Sequence, residues 1–135
     1  MKKLLATAVT LVLLTSPSLA ADRVRLHPKV LGTWCHTKNP NLFVRGNCFH
    51  RTDADIVIGA DGYEGWEHEC RTVKSSSRRD PAIDPDGTGS SRYTINYKCA
   101  GEGATWFLDT EMYVNNDGNL VMKVLRHFGE KEEGK

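Results

Sequence analysis

Alternation of apolar and polar residues along the second half of the chain constrains its fold more than any other feature. One apolar face in residues 93–99 consists of Tyr93, Ile95, Tyr97 and Cys99. Residues 104–114 and 119–127 continue this period of two, and glycine-containing turns at 100–103 and 115–118 separate the three segments. The period and the turns predict an antiparallel β-meander of three half-buried strands.

The first half of the chain carries a similar but less regular pattern. Residues 54–59 and 63–72 flank a turn signal at residues 61–62 and predict a hairpin. A further strand is expected over residues 30–37, and a loop with several turn-forming residues is expected over residues 38–53.

Residues 74–91 lack apolar periodicity and include three consecutive serines, two arginines and two prolines, so we expect a long exposed loop there. About six strands joined mostly by hairpins predict an all-β domain. We expect a small antiparallel meander that forms a closed or flattened barrel, because closure removes exposed strand edges; an open sandwich is the alternative. The residues expected to face the interior are Trp34, Ile56, Ile58, Trp66, Tyr93, Ile95, Tyr97, Trp106, Leu108, Met112, Leu120, Met122 and Val124.

The N-terminus has the three-part pattern of an export signal. Lys2 and Lys3 precede an apolar run over residues 4–14, and the small residues Ser18 and Ala20 fit a signal-peptidase site. The run has about 11 residues and is too short to span roughly 30 Å of hydrocarbon as a helix; a short membrane anchor is the alternative. We expect cleavage after Ala20 and a periplasmic or secreted protein.

Such cleavage divides the chain into a signal peptide (1–20), one domain (21–129) and a charged flexible tail (130–135). It removes two lysines from the chain, so that 16 basic and 17 acidic residues remain among 115. A nucleic-acid-binding chain usually shows a basic excess, and a spanning helix needs a second long apolar run. We therefore expect a soluble monomer that binds neither nucleic acid nor a membrane after signal cleavage.

The chain has four cysteines, all beyond the predicted cleavage site, and they predict two disulfides in an exported protein of this size. Three pairings are possible. We favour Cys35–Cys48, which closes a separation of 13 residues, and Cys70–Cys99, which would join two strands at inward positions. Spacings of 13, 22 and 29 residues contain no close pair of the kind found in structural zinc sites. A catalytic thiol would have to remain reduced.

Gly32, Thr33 and Trp34 stand at the start of the first predicted strand and resemble the G-x-W feature of lipocalin-like barrels. In that group the tryptophan closes one barrel end and an arginine of a late strand packs on it, which implies Arg126 as the partner of Trp34. The size and the disulfides are more similar to small periplasmic barrel inhibitors of secreted proteases, which also carry G-x-W before a cysteine.

A second resemblance covers more of the chain. Residues 32–35, 61–70 and 99–103 are similar to stretches of small exported proteins of unassigned function from rhizobia-type bacteria. This resemblance implies an exported protein and brings no known activity with it.

No pattern in the sequence predicts a catalytic site, a metal site or a cofactor. In residues 67–69 two glutamates flank a histidine, but on a strand they point away from it. Serines 75–77 lack the G-x-S-x-G context of a nucleophile. Residues 84–89 hint at a calcium loop, but glycine and glutamate do not fall at the EF-hand positions. His36 and His50 flank the first predicted disulfide and could approach each other.

A partner surface is the remaining candidate site. Its expected residues are Phe107, Tyr113, Arg78 and Arg79, with Phe43 and Phe49 of the early loop as further members of an apolar patch. The alternative is that the loop at 38–53 covers this patch. We therefore expect a small exported binding protein without enzymatic activity, which contacts an unknown protein through a loop or a strand edge. The alternatives are an inhibitor of a secreted hydrolase and a lipocalin-like carrier of a small apolar ligand.

Overall fold

A computed structural model describes residues 22–48, 52–83 and 91–129. The predicted signal peptide (1–20), the calcium-like pattern (84–89) and the charged tail (130–135) lie outside the described residues. Phe49 and His50 lie outside them as well.

The described residues form a closed antiparallel barrel, as predicted, but from eight strands rather than about six. The strands are β1 (Gly32–His36), β2 (Leu42–Arg45), β3 (Ile56–Ile58), β4 (Gly62–Gly65), β5 (His68–Arg79), β6 (Ser91–Gly101), β7 (Ala104–Val114) and β8 (Leu120–Gly129). Their order around the barrel is β1-β2-β8-β7-β6-β5-β4-β3, and β3 pairs with β1 to close it. Within the described part of the chain, no helix is long and apolar enough to span a bilayer.

The two additional strands come from segments for which the sequence pattern predicted a different structure. Strand β2 lies inside the region expected to be a loop. The single strand expected over residues 63–72 is two strands, because the chain turns at Trp66 and Glu67, and Glu67 has a φ of 54°. Strand β5 also continues to Arg79, into the region expected to be an exposed loop.

The predicted disulfide pairing is confirmed. Cys35 on β1 bonds to Cys48, three residues after β2. Cys70 and Cys99 are direct cross-strand neighbours on β5 and β6, with Cα atoms 4.0 Å apart. Each bridge would stabilise the fold by about 3 kcal/mol in the loop-entropy estimate.

Most of the predicted interior residues are buried, with three exceptions. Trp66 is 43% exposed because it stands in the turn between β4 and β5, and Val124 is 52% exposed. Trp106 is only partly buried, at the edge of the core. The buried apolar residues that the pattern did not predict are Leu26, Val30, Phe43, Tyr63 and Val114.

An extra residue in β8 inverts the faces of the strand. Thr110 lies opposite Val124 and Asp109 lies opposite Arg126, so Leu125 is an additional residue that forms a β-bulge. The even-numbered residues before the bulge point inward, but Arg126 after it points to the outer face. Its guanidinium Nε lies 3.1 Å from Asp109 Oδ2 and its side chain is 70% exposed.

The prediction that Arg126 packs on Trp34 is therefore wrong. The residue that does so is Arg45 of β2, whose guanidinium carbon lies 4.3 Å from the centroid of the Trp34 ring. Arg45 follows Leu42–Val44 in β2 and lies directly opposite Trp34 in the β1–β2 register. The indole Nε1 of Trp34 donates to the Val30 carbonyl at 2.8 Å, which fixes the buried ring in place.

Candidate functional site

One edge of β8 has no neighbouring strand over most of its length. Strand β7 pairs with β8 from Leu120 to Gly129. Strand β2 pairs only with Leu120 and Val121, and the Asn41 carbonyl accepts a further bond from the Met122 N–H at 2.9 Å. Beyond that point, no strand among the described residues pairs with this side of Lys123–Gly129, which we name the open edge.

The turn before β2 explains why the second neighbour ends there. Leu42 N–H donates to the Asn39 carbonyl at 3.1 Å, and Asn41 N–H donates to Asn39 Oδ1 at 3.0 Å. These bonds turn the chain away from β8 immediately before Leu42. Pro40, which lacks an N–H and fixes its own φ, favours the same turn. The sequence of the turn before β2 therefore determines where the open edge of β8 begins.

The open edge carries apolar side chains. Val124 is 52% exposed, Leu125 is 58% exposed and Phe128 is 38% exposed. The unpaired N–H and C=O groups of an exposed edge strand can pair with another chain. Proteins usually prevent this with charged residues, proline or a bulge. This edge has a bulge and the charged Lys123 and Arg126, yet three large apolar side chains remain on it.

Strand β5 provides a comparison within the same barrel. Strand β4 pairs with β5 only up to Arg71, and the Thr72 N–H then donates to the Asp61 carbonyl. From Lys74 to Arg79 the strand consists of lysine, serine and arginine. The N-terminal segment also reaches it, since Val24 N–H donates to Ser75 Oγ at 2.8 Å. From Lys74 onward the β5 edge is therefore polar and partly covered, whereas the β8 edge exposes three large apolar side chains.

The predicted surface residues Phe107 and Tyr113 lie on the outer face of β7, as the alternation requires, but cations cover their rings. Phe107 stacks on Phe128 with ring centroids 5.3 Å apart. Lys98 Nζ lies 5.8 Å from the Phe107 centroid, and the Arg126 guanidinium lies 4.8 Å from that of Phe128. The structure thus joins Phe107 to the open edge through Phe128.

The other predicted members of the surface are dispersed. Tyr113 lies opposite Val121, which still pairs with β2, and the Arg92 guanidinium lies 4.1 Å from its ring centroid. Phe43 is buried in the core and is not part of a surface patch. Arg78 and Arg79 are exposed at the end of β5, and Arg78 lies opposite Arg92.

Ion pairs order the outer face of β6, β7 and β8. Asp109 Oδ1 accepts from Asn96 Nδ2 at 2.5 Å, and its other oxygen pairs with Arg126. Arg92 pairs with Glu111 at 3.1 Å and with Asp80 at 2.6 Å. The hydrogen bond from Arg92 holds the pKa of the Asp80 carboxyl below its usual value.

Basic residues outnumber acidic ones on the outer face of β5–β8. The inward positions alternate with the outward ones, and the register changes at bulges in β5 and β8. The outward basic side chains are Arg71, Lys74, Arg78, Arg92, Lys98, Lys123 and Arg126, and the outward acidic ones are Glu69, Asp109 and Glu111.

The histidine and glutamate residues at 67–69 lie at one end of the barrel. His68 Nδ1 is 2.8 Å from the Trp66 carbonyl oxygen, and its ring contacts those of Tyr63 and Trp106. A hydrogen bond and charge repulsion from Glu102 raise the pKa of the Glu67 carboxyl. Among the described residues, no group of three or more His, Cys, Asp or Glu could hold a metal ion.

The barrel interior is occupied by side chains. Trp34, Ile95, Met112 and Leu120 are fully buried there. A groove of about 370 Å³ lies on the outer surface of β3, β4 and β5, and Val57 and Glu64 are among the residues that line it. A packed interior gives a carrier of an enclosed ligand less support than a surface-binding protein.

Comparison of the chain with protein-family models, with curated proteins and with solved structures found no match. The open edge itself was missed in the sequence analysis. Its signal is the pair of adjacent apolar residues Val124 and Leu125, which breaks the period of two and marks the bulge.

Proposed function

We propose that this protein is an exported, non-enzymatic binding protein. It recognises a protein partner by accepting an extended segment of that partner as an additional strand on the open edge of β8. The observation that carries this proposal is that Lys123–Gly129 lacks a second neighbouring strand among the described residues while exposing Val124, Leu125 and Phe128. In such strand addition, main-chain hydrogen bonds give affinity and alternate side chains give specificity.

The remaining features agree with this function. The two disulfides are consistent with an extracellular or periplasmic protein. Continuous pairing of β6 with β7 and of β7 with β8 holds β8 in place, so a partner segment would meet a preformed edge and lose less free energy to ordering. Inhibition of a secreted hydrolase is one use of such an edge.

Capture of a partner from the exported fraction of the source cells tests the proposal. The mature protein is immobilised, retained proteins are identified by mass spectrometry, and binding is then measured with the purified partner. We expect backbone amides in 123–129 to become protected from hydrogen exchange on binding.

A matched pair of variants makes this test specific. Leu125 and Val73 are both bulge residues on edge strands and are similarly exposed, at 58% and 51%. We expect Leu125→Asp to weaken binding and Val73→Asp to leave it unchanged. The proposal would be overturned if Leu125→Asp bound the partner as tightly as the wild type and if binding left hydrogen exchange in 123–129 unaltered.

A further inference from the structure

The chemistry of the partner segment follows from the charges beside the open edge, provided that the proposed strand addition is correct. Neighbouring strands lie about 4.8 Å apart, and directly opposite side chains interact. A strand added to β8 would therefore place its outward side chains against Lys123, Arg126 and Phe128, the outward residues of the open edge.

The outward charged side chains of β8 itself, which an added strand would face directly, are both basic. They are Lys123 and Arg126, and β8 contains no aspartate or glutamate. The outward acids of the next strand, β7, are Asp109 and Glu111, and both already have cationic partners in Arg126 and Arg92. The charge that an added strand meets at this edge is therefore positive.

A second copy of the chain would fit this edge poorly. Antiparallel pairing of two β8 strands would bring Lys123 and Arg126 of one copy towards the same residues of the other. Like charges at facing positions of paired strands are destabilising. A different protein with negative charge on the added strand meets no such repulsion.

We infer that the open edge of β8 accepts an acidic extended segment of another protein, with glutamate or aspartate at outward positions near Lys123 and Arg126. An apolar residue at the outward position next to Phe128 would complete the contact. The acidic side chains distinguish this segment from other extended segments, and main-chain hydrogen bonds to β8 hold it in position. Screening weakens this discrimination as ionic strength rises.

Two designed peptides test the inference. The probes are blocked octapeptides with alternating glutamate and valine or alternating lysine and valine, which share length and apolar content. We expect the glutamate peptide to bind about tenfold more tightly at low salt, which corresponds to about 1.4 kcal/mol, because opposite charges across paired strands are stabilising and like charges are destabilising. We also expect it to protect the amides of 123–129.

Charge variants of the protein supply the reciprocal test. Lys123→Glu with Arg126→Glu should reverse the preference, and Lys123→Glu alone should reduce it if the double variant is unstable. Arg25→Glu with Lys29→Glu changes the same number of charges on the N-terminal segment and should leave the preference intact. Both residues are exposed.

The outcomes separate the inference from the proposed function. Equal binding of both peptides, with protection of 123–129, would overturn the acidic partner and retain strand addition. Binding of neither peptide at millimolar concentration would count against both. A concentration-dependent dimer that protects 123–129 would show that a second copy occupies the edge, which also contradicts the inference.

Discussion

The guanidinium of Arg45 covers the ring of Trp34 at 4.3 Å and links it to the chain that precedes β1. Its Nη1 donates to the Leu31 carbonyl at 2.8 Å, and its Nη2 donates to the Lys29 carbonyl. Trp34 in turn donates to the Val30 carbonyl. The two side chains together hold three consecutive carbonyl groups and thereby close this end of the barrel.

Replacement of Arg45 should therefore destabilise the protein. We expect Arg45→Ala to lower the free energy of unfolding by about 2 kcal/mol, from the loss of a cation–π contact and two charge-assisted hydrogen bonds. Arg126→Ala is the control, with an expected loss of about 0.5 kcal/mol, because its ion pair is on the surface. Urea denaturation measures both; a larger loss for Arg126→Ala would contradict the assignment.

Removal of either disulfide should lower stability. We expect a loss of about 3 kcal/mol for Cys35→Ala with Cys48→Ala, and about 3.5 kcal/mol for Cys70→Ala with Cys99→Ala, because the second bridge closes a longer loop. Thermal and urea unfolding of the two double variants provides the comparison. Free thiols in the oxidised wild-type protein would show that the bridges are not formed.

The buried carboxylate of Asp55 should be a strong stabilising element. Asp55 Oδ1 accepts from the His36 N–H at 2.9 Å and from Thr52 Oγ1 at 3.0 Å, and Oδ2 accepts from the Thr52 N–H at 3.0 Å. We expect Asp55→Ala to cost about 3 kcal/mol, because three partly buried donors lose their charged acceptor. Asp55→Asn retains one acceptor oxygen and should cost less. Equal stability of Asp55→Ala and the wild type would contradict this role.

Alkaline pH should weaken the fold through Tyr63. Burial raises the pKa of the Tyr63 hydroxyl to about 12, against 10.0 for an exposed tyrosine. The folded state thus keeps its proton where the unfolded state loses one, so stability is unaffected below pH 10 and falls as the pH rises towards 12. The free energy of unfolding of Tyr63→Phe, measured in urea, should fall less steeply than that of the wild type over this range. Identical slopes for Tyr63→Phe and the wild type would contradict the assignment.

The alternation of residues was sufficient to locate β6, β7 and β8 and to predict the Cys70–Cys99 bridge, while the short separation predicted Cys35–Cys48. It could not predict where the alternation is interrupted. Leu125 in β8 and Val73 in β5 are extra residues, and each inverts the faces of the strand beyond it. The assignment of Arg126 to Trp34 was wrong because it assumed an uninterrupted strand.

Amino-acid composition led to a wrong prediction for a strand at the edge of the sheet. Residues 75–79 are serine and arginine and were expected to form a loop, yet they pair with β6 as part of β5. Edge strands tolerate such residues because one side of the strand faces no other strand. The open edge of β8 depends on where β2 turns away, which is a long-range relationship that local patterns do not contain.

Hydrogen exchange of the unbound mature protein tests the central claim most directly. Met122 N–H bonds to Asn41, and N–H groups alternate between the two sides of a strand, so the N–H of Val124 faces the open edge. We predict protection at Met122, whose N–H bonds to the Asn41 carbonyl, and at Lys123, whose N–H faces β7, but rapid exchange at Val124 and at alternate residues after the bulge. Uniform protection of 123–129, equal to that of β7, would show that the edge is already covered and would contradict the account.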